Sequence, residues 1–367
     1  MSAIRLRLWT YPCRFRFRFS HAAAARAEAE NVICEAADRD GVVGYGEGCP
    51  RAYVSGETME SAAAFFSAHR ASLEENAGSL TGLRRWITAH EKEIDAAPAA
   101  FAAIEGALLD RLARRAGYSI ETLLGLPSCP SLPATGVLGS GGPARLAGLA
   151  FRCLGLQSAK LKLSGDAAAD ARRLRHFRAG LGRGANIRLD ANGAFADEGV
   201  AVAALRDMSG DAWAVEEPVR AFDFEGMAAI ARETGLAIIL DESCGTADHL
   251  GQARAAAADV RWILNLRVSR HGGLIRALRL GRAAAAIGVD AIVGAQVGET
   301  SLLARQGLAL AAGLPSAPLG VELGYGPLLL QKDLTRPGVG IGLGGRIRPS
   351  QQFFPYVAAE RLALIVD

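Results

Sequence analysis

At 367 residues, half of them hydrophobic, the chain is long enough to bury one large core and a second, smaller one. Its 41 basic and 38 acidic residues leave a net charge of +3, which argues against nucleic acid or a membrane surface as partner. Six scattered cysteines with no CxxC pair argue against a zinc site or a disulfide framework and fit a reducing cytoplasm. No uncharged apolar run reaches the roughly 18 residues of a membrane span. The first residues also lack the continuous apolar core of a signal peptide.

Residues 3–55 read as strands: 4–9, 15–19, 31–37 and, after the Asp40-Gly41 turn, 42–47. The early arginines alternate with Leu or Phe, as in Arg14-Phe-Arg-Phe-Arg-Phe19. Period two predicts a strand with one wet and one buried face, whereas a transit peptide would be helical in pattern. From Glu57 to Gly117 the pattern turns helical. Residues 102–115 carry the strongest apolar stripe (Ala103, Leu108, Leu109, Leu112), and Gly117 lies beyond its end. Residues 1–127 thus predict an α+β unit.

After the Pro-rich 127–133 linker, strand-like runs alternate with Ala-rich helices. The runs are 159–163, 187–190, 212–216, 237–241, 262–267 and 291–295, with helices such as 167–180, 224–234 and 273–287 between them. Such alternation means parallel strands, and an even step without a GxGxxG turn favours a closed barrel over 128–330. The glycine-rich 338–345 stretch has no strand–turn–helix context and reads as loop. The tail 331–367 is expected to pack back on the first domain.

Three acidic residues end apolar runs in the second half at steps of about 25 residues, one strand plus one helix. They are Asp190 in Asn-Ile-Arg-Leu-Asp, Glu216 in Trp-Ala-Val-Glu and Asp241 in Ala-Ile-Ile-Leu-Asp. Each alone reads as a turn or helix-capping residue. Three in succession at the C-terminal ends of parallel strands converge on one barrel mouth, where an all-oxygen set suits Mg2+.

Lys160 and Lys162, at i and i+2, share one strand face. Leu161 and Leu163 claim the helix side and turn the lysines inward; the alternative is an edge strand with two wet lysines. Neighbouring ammonium groups lower each other's pKa from about 10.4, and Mg2+ adds to this, bringing one lysine towards use as a general base. Arg267 faces the same mouth, as an ion-pair partner of Asp241 or Glu242 or as a fixed cation over a substrate. Arginine titrates above about 12 and is no base at neutral pH. His271, in the loop that follows, reads as a capping or surface residue.

Together these residues resemble the enolase superfamily, in its mandelate-racemase and muconate-lactonizing branch, over most of the chain. Gly44-Tyr-Gly-Glu-Gly-Cys-Pro50, with Tyr53 and Gly56-Glu-Thr58, is similar to the capping-domain signature, and 107–117 to the helix before the barrel. Lys160-Leu-Lys162 resembles the family's Lys-x-Lys motif, and Asp190, Glu216 and Asp241 its three Mg2+ ligands. The resemblance implies an α/β fold, a modified TIM-type (β/α)7β barrel with an N-terminal α+β capping domain. It implies Mg2+-dependent removal of the proton α to a carboxylate, giving a metal-stabilised enediolate. Lys162 would be the base, while Lys160 stabilises the carboxylate and depresses the pKa of Lys162. Specificity is expected in cap loops at 20–25 with His21 and 51–56 with Tyr53, lying over the mouth and excluding water. Gln296-Val-Gly-Glu299-Thr loosely resembles the seventh-strand Glu motif, which implies substrate contacts from Gln296 and Glu299. The implied partner is a small carboxylate, and the resemblance allows a homo-oligomer.

Departures narrow the reaction. Arg267 stands where the branch carries the lysine that two-base racemases and epimerases use. No histidine follows His271 to supply the mandelate-racemase pattern, and Val321-Glu-Leu-Gly-Tyr325 lacks the Asp-x-Asp of dipeptide epimerases. One-base lyase or cycloisomerase chemistry survives, with Arg267 as an electrostatic cation. The alternatives are a racemase or epimerase with a non-lysine second base, and a barrel that binds a carboxylate without turning it over.

Overall fold

The structure, a computed structural model, describes residues 4–21, 24–348 and 356–367, with side chains placed except at 18–21, 24–26, 53 and 54. Ile4–His21, Ala24–Asp38 and Val43–Gly48 form an antiparallel sheet, and Ala363–Val366 adds a strand beside the first. The predicted runs 4–9 and 15–19 are one continuous strand. Alternation buries Leu6 and Leu8, shifts phase after an irregularity at Leu8–Trp9 and then buries Cys13 and Phe15 in a second cluster. Phe17 departs from it: it is 57% exposed and lines the barrel cavity described below.

Gly44, Gly46 and Gly48 occupy one face of the third strand, against the helix Pro98–Ala116. A Cβ on any of them would collide with the helix backbone, near Ala107–Arg111, Ala103 and Ala99 in turn. Two strand residues advance about 6.6 Å and four helix residues about 6.0 Å, so glycines and helix turns stay in step. The helix is buried on nearly all sides because barrel helices cover its other face. There Glu105 accepts the N–H groups of Leu274 and Ile275 and caps the helix Leu274–Ala286, which has no side-chain cap of its own.

Seven parallel strands follow in sequence order: Thr135–Leu138, Ser158–Lys162, Asn186–Asp190, Ala214–Glu216, Ala237–Leu240, Trp262–Leu266 and Asp290–Val293. An eighth segment closes the ring. Val321 bridges Val293 in parallel, and its carbonyl accepts the N–H of Thr135 at 2.7 Å. This is the modified (β/α)7β barrel. Its first strand was not foreseen, because Thr-Gly-Val-Leu is short and abuts the proline linker. Several strands hand over to helices capped by a side chain: Asp166, Asp197, Asp223, Thr246 and Thr300. The stretch 338–345 is more ordered than a loop, since Ile341–Gly342 pairs with Arg346–Ile347 and that strand with Leu132–Pro133. All six cysteines are free, and no helix among the described residues is long and apolar enough to cross a membrane.

Candidate active site

Parallel register sets the site. Lys162, Asp190 and Glu216 are lateral partners on the second, third and fourth barrel strands, and Lys160 pairs with Arg188 one step below. Alternate residues share a face, so Lys160, Lys162, Arg188 and Asp190 all point into the barrel. Asp241 directly follows the fifth strand and Arg267 the sixth. All of these side chains are buried.

Lys162 Nζ donates to Asp190 Oδ2 at 2.7 Å and to Asn192 Oδ1 at 2.8 Å. Lys160 Nζ sits among three carboxylates: Glu322 at 2.9 Å, Asp190 at 3.2 Å and Glu216 at 3.3 Å. Burial by itself drives this ammonium's pKa down, but Glu216, Glu322 and Asp190 outweigh it and hold the group above the ordinary lysine value. Mutual depression of the two lysines therefore does not govern Lys160, because three carboxylates surround it, Glu322 among them. Arg188, fully buried, pairs with Glu322 in turn.

Arg267 reaches Asp241 with its guanidinium and donates from Nη1 to Gln296 Oε1 at 3.2 Å. Glu299 Oε2 accepts the N–H of Gln296 at 2.9 Å, and burial pushes the Glu299 carboxyl well above its usual range. His271 is neither a surface nor a capping residue. It is buried, with Nε2 3.2 Å from the Cys244 carbonyl and Nδ1 2.9 Å from the carbonyl and 3.1 Å from the backbone nitrogen of Arg267. Burial pushes its pKa down to about 4, so it ties two loops together as a neutral ring.

Lys160, Lys162, Arg267, Gln296 and Glu299 open onto one cavity of about 250 Å³. Its remaining wall is largely apolar, with Phe17 contributed by the cap and Val137, Phe151 and Leu328 by the barrel side. The side chains of His21 and Tyr53 lie outside the described residues.

Among the described residues, no three acidic, histidine or cysteine side chains are gathered as a metal cluster; lysine and arginine cations stand on Asp190, Glu216 and Asp241 instead. The donor chemistry nevertheless fits a hard divalent cation. All three groups are carboxylates at neighbouring strand ends, and the buried Asp190 Oδ1 and Asp241 Oδ1 accept no hydrogen bond. A buried acceptor left without a donor is costly, and a bound cation would satisfy both.

Four contributors escaped the reading of the sequence. Arg188 was visible in principle, two residues before Asp190 on the same strand face. Asn192 stands in the Asp190-Ala-Asn-Gly193 segment, which reads as a turn; its signal is an asparagine, a residue that tolerates the left-handed φ of 47° found here. Asn265, whose Nδ2 donates to Glu216 Oε1 at 2.8 Å, lies two residues before Arg267 in the same strand-like run. Glu322 had no local signal, because the barrel's closing segment brings it to Lys160.

Residues 4–125 match the family model for the mandelate racemase / muconate lactonizing enzyme N-terminal domain, and residues 144–351 match the enolase C-terminal domain-like model. A hydrophobic dipeptide epimerase of Enterococcus faecalis is 30% identical over 327 residues, 82% of this chain and 88% of that protein. A chloromuconate cycloisomerase of Cupriavidus pinatubonensis is 29% identical over 353 residues, 90% of this chain and 93% of that protein. The crystal structure of a dipeptide epimerase from Methylococcus capsulatus, complexed with Mg and the dipeptide L-Arg-D-Lys, is similar at a TM-score of 0.82 and 27% identity. That likeness covers 97% of this chain and 98% of the other.

Proposed function

We propose that this chain, which belongs to the mandelate racemase/muconate lactonizing enzyme family of the enolase superfamily, removes the proton α to the carboxylate of a small acid, with Lys162 as the base. The observation that carries this reading is the pairing across the cavity: Lys162, turned by Asn192, on one wall and Arg267 rather than a second lysine base on the other.

Asp190, Glu216 and Asp241 are the residues that would hold a magnesium ion, a reading supported by the Mg complex of the Methylococcus capsulatus epimerase. When bound, the ion supplies Lewis-acid charge against the anion that develops as the α-proton leaves. Lys162 Nζ takes that proton. Lys160, kept cationic by its carboxylates, is a fixed positive charge at the base of the same cavity. Arg267 adds a second fixed charge without serving as a base. The apolar wall keeps water from the carbanion. One base suffices for cycloisomerisation or elimination, since Lys162 can return its proton to another carbon or to the leaving group.

A second reading is an epimerase or racemase in which Arg267, or another non-lysine group, completes proton transfer on the opposite face. The dipeptide epimerase of Enterococcus faecalis favours it. In deuterated water, Lys162→Ala is expected to abolish α-proton exchange with any carboxylate that the wild type processes, and exchange retained in this variant sinks the assignment of the base. Deuterium gained with inversion at one carbon selects the second reading.

A further inference from the structure

The cavity wall that carries Gln296 and Glu299 is not held by the barrel alone. Residues 297–303 run from the seventh strand into the helix Ser301–Gly313, and side chains of the capping sheet meet their backbone. Glu47, fully buried, accepts the N–H of Thr300 at 2.9 Å, its hydroxyl at 2.6 Å and the N–H of Leu303 at 2.9 Å. Asn31 donates to Gly298 O at 2.9 Å and to Glu47 Oε1 at 2.6 Å. Arg51, only 2% exposed, donates through Nη2 to Val297 O at 2.9 Å and to Asn31 Oδ1 at 2.7 Å. Its Nη1 reaches Glu30 O and Pro50 O at 2.8 Å each, so it is clamped from both sides.

The contacts continue inward. Within the loop Glu299 accepts the N–H of Gln296, and Gln296 Oε1 accepts Arg267 Nη1. Hydrogen bonds, linked through the backbone of the 296–300 loop, thus join Arg51 of the cap to the cation of the candidate active site.

We infer that Arg51, together with Asn31 and Glu47, is a positioning residue for Arg267, acting through the 296–300 loop. The inference rests on the proposed magnesium site. Arg267 has two close partners, Asp241 and Gln296. Once Asp241 gives its oxygens to a divalent cation, Gln296 Oε1 is the acceptor left to a buried guanidinium, and a buried charge without an acceptor is strongly disfavoured. The placement of Gln296 therefore governs how readily Asp241 is released. A role confined to holding the two domains together would lower the melting temperature without touching the metal.

The test takes the full chain as wild type, Arg51→Gln and Arg51→Lys, with MgCl2 titrated by calorimetry and amide hydrogen exchange followed at Gln296, Thr300 and Leu303. Arg51→Gln is expected to weaken Mg2+ binding about three- to tenfold, the range of one coupled hydrogen bond, and to speed exchange at these amides. Arg51→Lys, which keeps a donor for Val297 O or Asn31, is expected to fall between, and it carries the same comparison should Arg51→Gln fail to fold. In a Gln296→Ala background, Arg51→Gln should weaken the metal no further. Unchanged affinity in the single variant, or an equal loss in the Gln296→Ala background, overturns the inference. A wild type that binds no Mg2+ refutes the metal reading instead, and exchange then decides the positioning: if Gln296 exchanges at the wild-type rate in Arg51→Gln, the positioning fails.

Discussion

Lys162 donates to Asn192 Oδ1 at 2.8 Å, and Asn192 makes the contact from a left-handed backbone. Past the end of the strand Asn186–Asp190, the Ala191-Asn192-Gly193 turn swings a neutral oxygen back towards an amine on the neighbouring strand. An amide oxygen orients the amine without adding charge, whereas another carboxylate would bind its proton more firmly.

Asn192→Ala should accordingly slow α-proton exchange about 10- to 100-fold, the scale of a misplaced reacting group, while the fold is kept. The comparison is the exchange rate by NMR in deuterated water beside the melting temperature. A rate equal to wild type would remove Asn192 from the site.

Arg267→Lys places a second amine across from Lys162. Wild type is expected to exchange the α-proton with retention of configuration, and this variant to yield the inverted isomer as well. Chiral chromatography after incubation in deuterated water reads both. Inversion already present in the wild type would dismiss one-base chemistry.

Two glycines should respond to alanine with opposite signs. At Gly46 a methyl meets the helix backbone at Ala103, which cannot move aside, so Gly46→Ala should destabilise by at least the ~1–3 kcal/mol typical of overpacking. Gly251 lies on the exposed face of the helix Ala247–Ala256 with open space around it, and Gly251→Ala should stabilise by roughly 1 kcal/mol. Chemical denaturation of both variants checks the pair, and a shared sign would contradict the strand–helix packing.

Glu105 predicts a pH dependence. Burial pushes its pKa up to about 8 from 4.5, against the N–H groups of Leu274 and Ile275, which pull it down. The folded state thus holds a proton that the unfolded chain releases, so the stabilisation is complete below about 4.5 and is lost as pH rises through 8. Glu105→Gln cannot titrate and should lose less melting temperature between pH 5 and 9 than wild type. Parallel slopes would show that the capping-helix contact does not titrate in this window.

Much of this protein was legible in the sequence. The period-two run after Ile4, the even β/α rhythm and the carboxylates Asp190, Glu216 and Asp241 at apolar-run ends are local patterns, and local patterns survive without a fold. The i, i+2 spacing of Lys160 and Lys162 already put both on one face. Which opposite charge each of them meets was not legible. Glu322 reaches Lys160 only because the last segment closes the ring, and that contact helps hold Lys160 above the ordinary lysine value, where a neighbouring lysine alone would lower it. Glu47 reads in sequence as one letter of a glycine-rich motif, yet it caps Thr300, 253 residues further on, because the glycines on either side draw the strand against its helix and turn Glu47 outward to the barrel. Periodicity determines which face a side chain takes. Its charged or hydrogen-bonded partner is a through-space neighbour, and only closure of the barrel and docking of the cap decide that.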